Sequence, residues 1–148
     1  MTVTNTTLVS ESWNQLYSIV NANVTDPTGK SKFIYGTFPD ALHLTKADYP
    51  LIVINPIASD GAETITISRG VKLVGLKLEI EVYSTSNSQL DTIANSVFDA
   101  IESNETTNDS QGLHNFDLQR IDSNTVFRGK TRVHVKYLDW IFDFHEVR

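Results

Sequence analysis

The chain contains no cysteine. That excludes disulfides, thiolate metal centres and cysteine nucleophiles. It also lacks long apolar runs. The longest, such as Leu51–Ile54, are far too short to cross a bilayer. Met1–Ser10 has no basic region followed by an apolar stretch, so no secretory signal is legible. These absences predict a soluble chain made in a cytoplasm. Positive charge is in deficit too: 12 Lys and Arg against 18 Asp and Glu give a formal charge of −6. This argues against nucleic acid or anionic membrane binding across the whole surface, while leaving room for a small basic patch. Four Asn-x-Ser/Thr sequons, at Asn5, Asn23, Asn104 and Asn108, are attributed to chance in a chain rich in these residues.

What is present suffices for one domain. The 148 residues are 40% apolar and 20% charged, enough for an ordinary core and too little charge for disorder. Val9, Trp13, Leu16, Tyr17 and Val20 recur at helical spacing and predict a helix over Leu8–Val20. Asp26-Pro27-Thr28-Gly29 is a turn signal. A short strand is expected at Lys32–Tyr35, and an irregular stretch over Thr37–Asp48. Tyr49–Ile57 holds four consecutive apolar residues between Pro50 and Pro56, as in a strand buried on both faces.

Thr64–Ser68 alternates and reads as a hairpin arm. It leads into Val71–Tyr83, whose apolar residues switch phase at Val74-Gly75. One extra residue there would restore a single apolar face, so a β-bulge is expected at Gly75. Ser86 with Gln89, or Ser88 with Asp91, caps a second helix over Ser88–Glu102. Its stripe is Leu90, Ile93, Ala94, Val97 and Ile101. Asn104–Gly112 is polar throughout and is expected to be a mobile loop. Two last strands are expected over Phe116–Ser123 and Thr125–Phe144, turning at Asp122-Ser123-Asn124, with a second break near Gly129. The predicted fold is α+β: one domain over residues 1–148, a mainly antiparallel sheet with two helices on one face and a long projecting hairpin.

No Walker loop, GxGxxG, GxSxG or HExxH motif occurs. The nearest approach to a metal cluster is Asp139, Asp143 and His145. Two of them share one strand face, and solvated polar positions are the ordinary reading. Glu79 and Glu81 also share a face, but with Lys77 beside them an exposed sheet surface outweighs an acid/base pair. No catalytic, cofactor or metal residues are assigned, and the chain is expected not to be an enzyme.

Two features point elsewhere. Val133, Val135 and Tyr137 lie on one face of the last strand, opposite Arg132, His134 and Lys136. Further along, Leu138, Trp140, Phe142 and Phe144 occupy the face that was basic. Either the chain re-enters its own core or another subunit covers this end. These four residues are the candidate subunit interface. The polar extensions Ile57–Gly70 and Asn104–Gly112 are of a kind that can reach a neighbour.

This layout resembles the tail-terminator (tail-completion) proteins of long-tailed phages and similar viruses. The likeness covers most of the chain. It rests on the first helix, Tyr49-Pro50-Leu51-Ile52-Val53-Ile54, the hairpin into Val71–Tyr83, Ser84-Thr85-Ser86 leading into the Leu90–Ile101 helix, and the closing strand pair. The resemblance implies a structural virion protein that forms a hexameric ring at the tail and neck. Such a ring caps the tail-tube protein, stops its elongation and meets the head-completion or connector protein. DNA passes through its lumen without specific binding, and no membrane or cofactor is involved. The alternatives are a head-completion (connector or stopper) neck protein and a monomeric α+β protein-binding adaptor.

Overall fold

The computed structural model describes residues 3, 7–40, 44–59, 65–68 and 71–147. Helix α1 spans Leu8–Asn23 and buries Leu16, Ile19 and Val20. Trp13 and Tyr17 stack at 5.2 Å on its rim, and the Trp13 indole donates to the Ile54 carbonyl at 2.9 Å. Val9 heads the expected stripe but is 56% exposed. The turn after α1 is built on Asp26, whose carboxylate accepts from the Thr28 amide and hydroxyl and from the Lys30 amide. Burial pushes this carboxyl up. The Lys30 ammonium 2.9 Å away and the hydrogen bonds from Thr28 and Lys30 outweigh burial and hold its pKa at about 2.

That depression fixes a pH dependence. A carboxyl with a folded pKa near 2, against about 4 unfolded, stabilises the fold above pH 4. The contribution is lost as pH falls through 2. Asp26→Ala is therefore expected to cost about 2 kcal/mol at neutral pH. Urea melts from pH 7 to pH 2 should show the gap to the parent chain closing on acidification.

Seven strands form the sheet among the described residues: β1 (Ile34–Tyr35), β2 (Leu51–Ile54), β3 (Ala58–Ser59), β4 (Ile65–Ser68), β5 (Val71–Ser84), β6 (Leu113–Arg128) and β7 (Thr131–Val147). The order is β1-β2-β5-β7-β6, with β3 and β4 further along the β2 side of β5. Only β1–β2 is parallel. Helix α2 spans Asn87–Ser103, and its Ser86 cap accepts from the Gln89 amide. Both long helices pack on one face of the sheet, against Ile52, Ile54, Leu78, Ile80, Val82 and the apolar residues of β7. The α+β class, the largely antiparallel sheet and the one-sided helices agree with the sequence reading. β2 is buried on both faces as its composition predicts, entered through a cis Tyr49-Pro50 bond.

Three local expectations are corrected. No bulge forms in β5 against β7, because pairing runs unbroken through Val74–Phe144, Gly75–Asp143 and Leu76–Phe142. Gly75 instead marks a change of partner on the other edge: β3 ends opposite Leu76 and β4 starts opposite Leu73. The chain does not turn at Asp122-Ser123-Asn124, which pairs through with Tyr137, Lys136 and Val135. β6 is the outermost strand here, so these polar residues can face water while staying extended. Their carboxylate and amide oxygens accept from the next backbone amides at 2.9 Å. The hairpin closes at Gly129-Lys130, where glycine takes the positive φ (65°) that a two-residue loop wants. Within the expected loop Asn104–Gly112, Glu105–Ser110 is a short helix α3, anchored by fully buried Asn108. The projecting tip expected between Ser59 and Ile65 lies outside the described residues.

Candidate functional site

Leu138, Trp140, Phe142 and Phe144 are each at most 1% exposed within a single chain. They face α1 and α2 in the main core, and Phe142 stacks on Phe116 at 4.6 Å. The interface reading of these four residues is corrected: their own helices cover them. The strand keeps its phase and pairs with β5 without a register break; only its cover changes sides. Val133 and Val135 pack with Tyr49, Leu51, Val53 and Tyr83 in a second cluster on the opposite face, roofed by Phe38 and Leu44. Beyond that roof the helices take over on the other side.

The strand carboxylates are not brought together. Asp139 accepts from the Arg120 guanidinium at 2.7 Å, and Asp143 accepts from the Asn115 amide at 3.1 Å. Asp139 and Asp143 lie four residues apart on one strand, which is about 13 Å. His145 contacts the ring of His114, which is itself bound to Asp109 at 2.8 Å. Among the described residues no group of three or more His, Asp or Glu side chains could hold a metal ion.

Glu79 and Glu81 do share the helix-free face. The Asn55 side-chain amide donates to both, and the Tyr83 hydroxyl donates to Glu81 at 3.3 Å. Burial, then the Glu81 charge, push the Tyr83 phenol well above its ordinary range, with Arg128 opposing. This is a hydrogen-bonded surface network with Lys77 3.7 Å from Glu79.

Two grooves lie at the two edges of the sheet, each where a helix overhangs an outer strand. The first is about 450 Å³, lined by Val9, Trp13, Tyr35, Pro56 and Ile57 beside α1 and β1. The second is about 480 Å³, lined by Phe98, Leu118 and Ile121 beside α2 and β6. Val9 and Ile121 are each 56% exposed and Phe98 37%. The second groove depends on a bulge. Leu118 and Ile121 are three residues apart and would point opposite ways in a regular strand. A register shift between Leu118 and Arg120 puts them opposite Trp140 and Leu138, on the helix side. Phe98 lies outside the expected buried stripe of α2, whereas Val9 belongs to the expected stripe of α1 and is left exposed by the fold.

A third surface is electrostatic. At the β6–β7 hairpin end, a hollow of about 650 Å³ is lined by Lys46, Lys130, Arg132 and His134, with Thr85 and Asn87 from the start of α2. No helix of the described residues is long and apolar enough to cross a membrane. No protein-family model matches the chain, and no curated protein matches it.

Proposed function

We propose that the chain is a ring-forming structural subunit of a virus particle. The observation that carries this reading is the pair of apolar grooves at opposite edges of one sheet. A single patch meeting its own copy gives a two-fold dimer. Two different patches at opposite edges give a head-to-tail contact, which closes into a ring when the rotation per subunit allows. Exposed apolar side chains gathered at a groove are what such a contact buries.

More particularly, it is a tail terminator: its ring caps the tail tube, stops its growth and joins the tail to the neck. The element order supports this. An N-terminal helix, a proline-led apolar strand, a long amphipathic strand, a Ser/Thr turn into a helix and a closing long strand pair follow the tail-terminator layout. Light scattering and negative-stain imaging, with and without tail tubes, test it. Rings, or assembly on tube ends with arrest of elongation, are expected. A stable monomer that neither forms rings nor caps tubes would sink the reading. Binding to connectors but not tubes would move it to the head-completion proteins.

A further inference from the structure

We propose that the β6–β7 hairpin end is a contact site for the phosphate backbone of nucleic acid. The chain is acidic overall, yet four of its twelve Lys and Arg residues fall between Arg128 and Lys136. Two of these are occupied. Arg128 lies over the Phe38 ring and donates to the Tyr83 hydroxyl, and Lys136 pairs with Asp91. Lys130 and Arg132 remain, joined across the hollow by Lys46. All three are exposed, and none pairs with a carboxylate among the described residues. No acidic residue lines this hollow.

Charge says anion, and geometry narrows it. Arg132 and His134 lie two positions apart on β7 and so share one face at an interval of about 7 Å. That interval is close to the spacing of successive phosphates along a nucleic-acid strand. Thr85 and Asn87 supply neutral donors on the facing wall, suited to phosphate oxygens. No apolar anchor lines the hollow, as a protein partner would be expected to provide. Contacts of this kind carry no sequence information, in keeping with a passage through which any sequence must move.

Three cations on one copy bind weakly; six copies in a ring would surround the strand. The avidity therefore rests on the ring proposed above, whereas the site does not. Fluorescence anisotropy of a labelled DNA duplex, titrated with the full chain at several salt concentrations, tests it. Binding at low salt is expected, weakening linearly on a log–log plot with salt. Lys130→Ala and Arg132→Ala should each reduce that slope by about 1. Lys77→Ala, on the helix-free face, should leave it unchanged. The proposal is overturned by absence of binding at low salt, by slopes that neither substitution alters, or by polyglutamate competing as well as DNA. The last result would assign the hollow to an acidic protein instead. Sizing of the same samples separates the two readings: a monomer with the expected slopes keeps the site and removes the ring, and a ring without them does the reverse.

Discussion

Trp140→Ala is expected to lower stability by about 3–5 kcal/mol, the range for deleting a large buried aromatic. Trp140 is fully buried in the centre of β7, flanked in the ladder by Leu78 of β5 and Leu118 of β6. Its indole nitrogen donates to Glu102 near the end of α2 at 3.4 Å, so the side chain fixes the helix to the sheet as well as filling space. Neighbouring strands hold the backbone on both sides, so the vacated volume can collapse only partly. The loss is a large share of the 5–15 kcal/mol typical of a domain and should appear as a drop in melting temperature of roughly 10 °C. Sizing chromatography below the melt should show an unchanged elution volume. A variant with parental melting temperature that had lost assembly would return Trp140 to the interface.

The second large effect is on assembly. Ile121→Asp and Val9→Asp each replace a half-exposed apolar residue on a different edge groove. As surface changes they should alter stability by no more than about 0.5 kcal/mol. In a head-to-tail ring every contact joins one groove of each kind, so either substitution spoils all contacts at once. Burying an unpaired carboxylate costs several kcal/mol at each. Each variant alone should run as a folded monomer. The mixture should behave differently, because the sound edge of one variant can meet the sound edge of the other. A heterodimer that grows no further is the expected product, measured by light scattering. Rings from either variant alone would remove these grooves from the contact.

The sequence made the helices, the doubly buried strand and the helix cap legible because each is a local pattern with one dominant cause. It was less explicit where two causes give one pattern. A phase change in apolar residues means either an extra residue in the strand or a change in what covers it. Along β5 and β7 it is the cover or partner that changes; along β6 it is the extra residue. Leu113, Phe116, Leu118 and Ile121 reach the helix side only through two register shifts, the first at Asn115 with φ 59°. Asp122-Ser123-Asn124 carries strong turn chemistry, but two residues at Gly129-Lys130 close the hairpin and tertiary pairing overrides the rest. The site was half visible. The basic run of Lys130, Arg132 and His134 is plain in the chain, whereas Lys46 and Thr85 join it only through folding. The aromatic end of β7 looked like an interface because the helix that covers it lies some forty residues away in sequence.

The two shifts in β6 bear on a separate problem. A sixteen-residue outer strand offers a long row of unused backbone donors and acceptors, the usual seed for uncontrolled stacking of sheets. Irregular spacing at two points breaks that row into short pieces, and Asp117, Arg120 and Asp122 place charge along it. A strand arriving from another molecule therefore finds no long continuous ladder to extend. The exposed edge is thereby kept from seeding open-ended stacking of sheets.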